Sequence, residues 1–136
     1  MKKVMIIDDS QTDRYIARFM VQEYGLTSAI VEQSSAISAL NYLRQCADDN
    51  EAFPEVIFLD IRMPEMDGFE FLSAYEDFPP HLIAGCHIVM LSSSIDPVDV
   101  ERSMANNHVL QYICKPLSGE KIAALREQVV QQRVAK

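Results

Sequence analysis

The chain alternates between short, uninterrupted apolar runs and longer segments in which apolar residues recur every three or four positions. The runs Val4 to Ile7 and Val56 to Leu59 contain no polar residue, which is typical of strands buried on both faces of a parallel sheet. Between the runs, spacings such as that of Leu40 and Leu43 predict amphipathic helices. Strands that alternate with helices imply right-handed crossovers. The pattern therefore predicts an α/β fold with helices on both faces of one parallel sheet.

Five strand-helix units are predicted along the 136 residues. The predicted strands are Lys3 to Ile7, Thr27 to Glu32, Val56 to Leu59, His87 to Leu91 and Val109 to Cys114. The natural arrangement of five such units is a flavodoxin-like, three-layer sandwich with strand order 2-1-3-4-5. Because a chain of this length buries a substantial core, residues 1–136 are expected to form one domain.

Helix boundaries are predicted from capping and turn residues. Asp13 is placed to complete a capping box at the start of the first helix, and Gly25 suits a left-handed position after its end. The third helix is predicted from about Gly68 to Glu76, and residues 79–80, both proline, are expected to end it and to begin a loop. The predicted caps of the first, fourth and fifth helices are Ser10, Asp96 and Ser118.

Charged side chains follow three of the predicted strands at the point where each strand ends. Asp8 and Asp9 follow the first strand, Asp60 follows the third and Lys115 follows the fifth. In an open parallel sheet, ligands bind outside the carboxyl ends of the strands, where the strand order reverses. That point lies between strands one and three. Three carboxylates and one ammonium are therefore expected to converge on one small site.

The side chains expected at this site indicate metal-assisted phosphoryl chemistry. Clustered carboxylates favour a bound cation, because like charges a few ångströms apart raise one another's pKa. Hard oxygen ligands without histidine or cysteine favour Mg²⁺ over Zn²⁺. A carboxylate beside Mg²⁺ and a lysine is equipped to attack phosphorus, since both cations offset charge on the transferring oxygens. Ser92, at the end of the fourth strand, is placed to donate its hydroxyl to a phosphoryl oxygen, and no organic cofactor is expected.

Composition narrows the classes of partner. The formal net charge is −8, from 20 acidic and 12 basic residues, and so acidic a surface repels nucleic acid and anionic lipid. No apolar stretch is long enough for a signal-peptide core or a membrane span. Cys46, Cys86 and Cys114 are widely spaced and form no CxxC pair, which predicts buried, reduced thiols in a cytoplasmic protein. Direct DNA binding and membrane association are not expected.

Four motifs at the predicted strand ends give the chain a resemblance to a known family. They are Asp8-Asp9, the run DIRMPEMDG from Asp60 to Gly68, Leu91-Ser92-Ser93 and Lys115-Pro116. Over essentially its whole length the chain resembles the receiver domains of bacterial two-component response regulators. The resemblance implies a receiver domain over residues 1–136, of the stand-alone, chemotaxis-receiver type.

The resemblance also implies a role for each residue that matches the family's motifs. Asp60 is expected to accept a phosphoryl group from a histidine kinase or phosphotransfer protein, and Lys115 to contact that group. The implied Mg²⁺ ligands are Asp8, Asp9, Asp60 and the backbone carbonyl oxygen of Arg62. Ser92 is expected to move toward the phosphoryl group, and Tyr112 to change rotamer with it. The expected output is docking to a downstream protein effector by a monomer or weak dimer, with no catalysis beyond self-phosphorylation and autodephosphorylation.

Three other functions remain open on the sequence alone. A small Mg²⁺-dependent phosphatase of the haloacid-dehalogenase type also uses an aspartate nucleophile, but it is expected to carry a DxD motif where this chain has Asp8-Asp9. An FMN carrier needs a phosphate loop rich in Ser, Thr and Gly, and two aspartates there repel phosphate. A pseudo-receiver, which serves only as an interaction module, usually lacks one acid or the lysine. Labelling of Asp60 by an acyl phosphate separates the switch from the last two.

Overall fold

A computed structural model describes residues 3–27 and 29–135, and within them one sheet is flanked by helices. The strands are β1 (Val4–Ile7), β2 (Ile30–Gln33), β3 (Val56–Leu59), β4 (His87–Ser92) and β5 (Val109–Cys114). The helices are α1 (Gln11–Glu23), α2 (Ala36–Gln45), α3 (Gly68–Tyr75), α4 (Pro80–Ile83), α5 (Pro97–Met104) and α6 (Gly119–Ala135). All neighbouring strands are parallel, in the order β2-β1-β3-β4-β5. The predicted fold and strand order are confirmed.

The central strands contain no polar residue because both faces of the sheet are covered. In β1, Met5 and Ile7 pack into a core with α2, α3 and α4, whereas Val4 and Ile6 pack into a second core with α1 and α6. Strand β3 alternates in the same way, and every residue of both strands is buried. Burial of a large aliphatic side chain stabilises the fold by about 1.5–3 kcal/mol. The packing of β1 and β3 therefore fixes the positions of their carboxyl ends, which the acids follow.

The predicted helix caps are present, but one capping box is not. Backbone N–H groups in the first turns of α1, α5 and α6 donate to the side chains of Ser10, Asp96 and Ser118. Gly25 has a φ of 66°, the left-handed position predicted after α1. The prediction that Asp13 reaches back to Ser10 is wrong, because the Ser10 N–H donates to the Asp8 carboxylate at 2.9 Å. The Asp13 carboxylate is bonded to Lys115 instead.

Two predicted boundaries are also corrected. The segment predicted as a loop after the double proline begins with the short helix α4, because proline is tolerated in the first turn, where its missing N–H would be unpaired. Strand β2 begins at Ile30 rather than Thr27. Ser28 of that predicted strand lies outside the described residues, as do residues 1, 2 and 136 of the predicted domain.

The three cysteines are free thiols, as predicted. Cys46 and Cys86 are buried in the core, but Cys114 is only half-buried. The prediction of burial is wrong at this position because β5 is an edge strand. Among the described residues, no helix is long and apolar enough to cross a membrane.

Candidate functional site

The strand register brings the acidic residues together at one edge of the sheet. Ile7 of β1 is in register with Leu59 of β3, and the Asp60 N–H donates to the Ile7 carbonyl oxygen at 3.0 Å. Asp8 and Asp60, which follow these two residues, are therefore neighbours. Carboxylate oxygens of Asp8, Asp9 and Asp60 lie within 4.8 Å of one another. The structure thus brings the three predicted acids together at the predicted switch point.

The loop after Asp60 folds back so tightly that only glycine fits at its far end. The Gly68 N–H donates to the Ile61 carbonyl oxygen at 2.8 Å. A Cβ atom on Gly68 would lie 2.5 Å from the Asp60 carbonyl oxygen, well inside contact distance. Asp67 and Glu70 form a capping box that starts α3 at this point. The spacing between Asp60 and Gly68 therefore fixes the backbone that carries the candidate acceptor.

Lys115 lies among the acids, although its strand is two positions away from β3. Its backbone N–H donates to the Ser92 carbonyl oxygen at 2.9 Å, which holds it at the end of β4. Its Nζ atom is 2.7 Å from Asp8 Oδ2, 2.8 Å from Asp13 Oδ2 and 3.3 Å from Asp60 Oδ2. The Lys115–Pro116 peptide bond is cis. The Lys115 ammonium therefore forms ion pairs with three carboxylates.

Burial and charge shift the pKa values of the two residues at the centre of the site. Burial raises the pKa of Asp60 to about 6, and the charge of Asp8 acts in the same direction. Lys115 and the Ile61 N–H lower that pKa, but they do not cancel the increase. Burial also opposes the charge on Lys115, yet its bonds to Asp13 and Asp8 and the charge of Asp60 raise its pKa above the ordinary value. Lys115 therefore stays positively charged, and it lies beside an acid whose raised pKa disfavours ionisation.

The three-acid group fits a small hard cation. All of its candidate ligand atoms are carboxylate oxygens, the donor type that Mg²⁺ prefers. Asp8 and Asp60 are buried, whereas Asp9 is exposed, so the group opens to solvent on one side. Burial and then repulsion by Asp8 raise the pKa of Asp60, and a divalent ion would relieve that repulsion.

Ser92 and Tyr112 belong to a second group of polar residues, which is joined through Ser94. The Ser94 N–H donates to the hydroxyl oxygen of buried Ser92 at 3.1 Å, and the Tyr112 hydroxyl donates to the Ser94 carbonyl oxygen at 2.8 Å. The Ser94 hydroxyl donates to Asp99 Oδ2 at 2.7 Å, and Arg62 donates to the same oxygen at 2.9 Å. This group connects the loop after Asp60 with the loop after β4 and with α5.

A sequence model of the response regulator receiver domain matches residues 4–127. The chain belongs to this family. Receiver domains are signalling switches rather than conventional enzymes, and they generally bind Mg²⁺ at an acidic cluster. They work with histidine kinases or phosphotransfer proteins. The family prediction is therefore confirmed, and family membership supports a role as a signalling switch.

Relatives of this receiver domain include both short and long proteins. The protein PilG of Pseudomonas aeruginosa is 31% identical over 126 residues, which cover 88% of this chain and 81% of PilG. The sensor histidine kinase CheAY of Helicobacter pylori is 30% identical over 122 residues, which cover 90% of this chain but only 14% of that kinase. A two-component response regulator of Oryza sativa is 26% identical over 92% of this chain and 54% of its own length. The chain thus spans about half of the length of some curated relatives and a much smaller share of others.

Solved structures agree with this assignment. A response regulator receiver protein from Dyadobacter fermentans is 34% identical, has a TM-score of 0.82 and aligns over 96% of this chain and 97% of its own. A two-component response regulator from Cytophaga hutchinsonii is 25% identical, has a TM-score of 0.88 and aligns over 95% and 96%. The flavodoxin-like architecture of the receiver domain is confirmed.

Several residues of this receiver domain's site were not predicted from sequence. Asp13 was assigned to a helix cap, although its position one turn after Asp9 was a signal that it faces the same end of the sheet. Ser94 and Asp99 carried no signal, because their contacts depend on how the loop after β4 folds. The side chain of Arg62 was also missed, and the structure shows it bonded to Asp99.

Proposed function

We propose that residues 1–136 act as a receiver domain that accepts a phosphoryl group on Asp60. The observation that carries this proposal is the clustering of Asp60 with Asp8 and Asp9, together with the ion pairs that Lys115 forms with Asp60 and Asp8. The proposed donor is a histidine kinase or a phosphotransfer protein, and the proposed output is docking of a downstream protein effector. The surface charge supports protein partners over nucleic acid or membrane.

Each residue of the site has a distinct role in the proposed reaction. A carboxylate oxygen of Asp60 attacks phosphorus, the P–N bond to the donor histidine breaks, and the imidazole keeps the electron pair. Water later attacks the same phosphorus and releases inorganic phosphate, which restores Asp60. Lys115 offsets the charge on the phosphoryl oxygens, and the Ile61 N–H holds Asp60 Oδ1 at 2.8 Å.

Mg²⁺ is the proposed metal partner of these residues. The proposed ligands are Asp8, Asp9, Asp60 and the backbone carbonyl oxygen of Arg62. When bound, the ion supplies a second positive charge against the phosphoryl oxygens. The acids themselves hold that charge close to the acceptor, because Asp8 is buried beside Asp60 and Asp9 lies next to both.

The test of the proposed function is labelling by a small phosphodonor. The protein is incubated with acetyl phosphate and MgCl₂, and its peptides are analysed by mass spectrometry. One phosphoryl group is expected on the peptide that contains Asp60, and none when the metal is chelated. A protein that binds Mg²⁺ but stays unlabelled would instead be a pseudo-receiver, and turnover of a free phosphate ester would indicate a phosphatase.

Mg²⁺ is expected to raise the melting temperature of the protein, because it binds the folded acids and not the unfolded chain. At ten times the dissociation constant, mass action stabilises the fold by about 1.4 kcal/mol. Asp9→Ala should remain folded, since Asp9 is exposed, but its melting temperature should respond far less to Mg²⁺. Differential scanning calorimetry with Mg²⁺, Ca²⁺ and Zn²⁺ checks this. A shift with Ca²⁺ or Zn²⁺ and none with Mg²⁺ would contradict the metal assignment.

Ser92 is proposed to couple phosphorylation to the docking surface formed by α5, β5 and α6. The phosphoryl group attracts the Ser92 hydroxyl through a charge-assisted hydrogen bond. Movement of Ser92 breaks its bond to the Ser94 N–H, and Ser94 also anchors Tyr112 and Asp99. A rotation of the Tyr112 ring is the proposed final step. Such coupling needs only a few kcal/mol to change partner affinity tenfold or more.

Ser92→Ala is therefore expected to accept phosphate on Asp60 but to transmit the signal poorly. Amide NMR shifts on adding beryllofluoride and Mg²⁺ should spread to residues 96–105 and 109–114 in the wild type, and stay near Asp60 in the variant. Ser93→Ala is the matched control, since Ser93 is exposed and next in sequence. It should behave as the wild type does. Equal spread in wild type and Ser92→Ala would exclude Ser92 as the coupling residue.

A further inference from the structure

Asp13 brings a fourth carboxylate to the site, and its contact is with the lysine rather than with the other acids. Its Oδ2 atom lies 2.8 Å from Lys115 Nζ, within the range of a strong charge-assisted hydrogen bond. Asp60 Oδ2 lies farther from the same nitrogen, at 3.3 Å. The lysine is therefore held more closely by Asp8 and Asp13 than by the candidate acceptor.

Local structure explains why the Asp13 carboxylate is available. It occupies the third position of α1, where an acid commonly reaches back to the N–H of the capping residue. Here the Ser10 N–H already donates to Asp8 Oδ1, so the capping position offers Asp13 no partner. The Asp13 side chain is 37% exposed, and its carboxylate forms an ion pair with Lys115.

The competition for Lys115 has a consequence for phosphoryl transfer. An ammonium group has three N–H donors, and here three carboxylates surround it. The contact of the ammonium with Asp60 is the longest of the three, so strengthening it toward a phosphoryl group at Asp60 weakens the contact with Asp13. We propose that Asp13 is a positioning residue that competes with Asp60 for the Lys115 ammonium and thereby slows the phosphorylation of Asp60. This proposal rests on Asp60 being the phosphoryl acceptor.

The direct contact between Asp13 and Lys115 can be distinguished from a general effect of negative surface charge by its dependence on salt. Exposed charges act through solvent, and salt at 1 M reduces the screening length to about 3 Å. A direct contact between Asp13 and Lys115 is much less sensitive to salt, because the lysine side chain is only 15% exposed. Glu65 provides a matched control. It is an exposed acid on the loop that follows Asp60, and Lys115 forms its described ion pairs with three other residues.

The experiment measures the rate of Asp60 labelling by acetyl phosphate in Mg²⁺, at 0.1 M and 1 M KCl. Acetyl phosphate gives its phosphoryl group to an Asp60 oxygen and leaves as acetate. Asp13→Asn keeps the shape of the side chain but removes its charge, and it is expected to label about three to ten times faster at both salt concentrations. Asp13→Ala should be at least as fast. Glu65→Gln should show at most a small increase, which 1 M KCl removes.

A second measurement avoids turnover. Beryllofluoride with Mg²⁺ binds Asp60 as a phosphoryl mimic, and it should bind Asp13→Asn about three to ten times more tightly than the wild type. Rates and affinities equal to those of the wild type would overturn the role of Asp13, as would slower labelling. The role of Asp13 would also be overturned if the Asp13 and Glu65 variants showed equal increases in labelling rate and if 1 M KCl removed both increases. An unlabelled wild type would instead disprove the acceptor assignment, so the two failures are distinct.

Discussion

Asp60→Asn is expected to lose all detectable phosphorylation by acetyl phosphate. The amide is too weak a nucleophile to form an acyl phosphate. Among the described residues, no other acid combines burial with contacts to the Ile61 N–H and the Lys115 ammonium. Peptide mass spectrometry after incubation with acetyl phosphate and Mg²⁺ checks the result. The acceptor peptide should carry a phosphoryl group in the wild type and none in the variant.

The control for this experiment is a distant acid. Asp77→Asn removes an equal charge from an exposed position after α3 and should be labelled at the wild-type rate. Circular dichroism of both variants shows that each is folded before labelling is compared. Normal labelling of Asp60→Asn would refute the assignment of Asp60 as acceptor.

The same substitution is expected to stabilise the metal-free protein. Burial and the charge of Asp8 raise the pKa of Asp60 from 3.8 to about 6, so the ionised carboxylate costs stability in the folded state. A shift of this size corresponds to about 3 kcal/mol above pH 7. Asp60→Asn should therefore raise the melting temperature in EDTA at pH 7.5 by about 5 °C or more.

The gain from Asp60→Asn should depend on pH in a defined direction. As the pH falls through about 6, folded wild-type protein takes up a proton on Asp60, whereas the unfolded chain does so only near 3.8. The wild type therefore recovers stability between these two values. The difference between variant and wild type should be largest above pH 7 and should shrink toward pH 4.5. Thermal melts in EDTA across this range check it.

Two outcomes would contradict this account of stability. A variant that melts below the wild type at pH 7.5 would mean that the ion pair with Lys115 outweighs burial and repulsion. A difference that grows as the pH falls would mean that the pKa of Asp60 is lowered on folding. Asp77→Asn again serves as control, because exchange of an exposed acid far from the site changes stability by about 0.5 kcal/mol or less.

Much of the fold follows from the sequence because hydrophobic patterning determines which face of each element is buried. The continuous apolar runs of β1 and β3 are possible only where helices cover both faces of the sheet, and this alone predicts the parallel arrangement. Parallel strands have their carboxyl ends at one edge, so the meeting of Asp8, Asp60 and Lys115 is a consequence of topology. The architecture was predictable for this reason, whereas family membership was predictable from the motifs at the strand ends.

Contacts that depend on loop geometry were not predictable in the same way. Asp13 looked like half of a capping box, and only the bond from the Ser10 N–H to Asp8 leaves it free for Lys115. Asp99, which no sequence motif singles out, is buried between Arg62 and Ser94. In both cases a polar side chain has several partners within reach, and the backbone of another segment decides among them.

The residues around the Lys115 ammonium are far apart in the chain. The lysine follows Asp60 by 55 positions and Asp13 by 102. During synthesis, a chain that is still attached to the ribosome has no complete acceptor until residue 115 has left the exit tunnel and β5 has joined the sheet. The proposed acceptor site, with Lys115 in contact with Asp60, is therefore complete only in molecules in which β5 has joined the sheet.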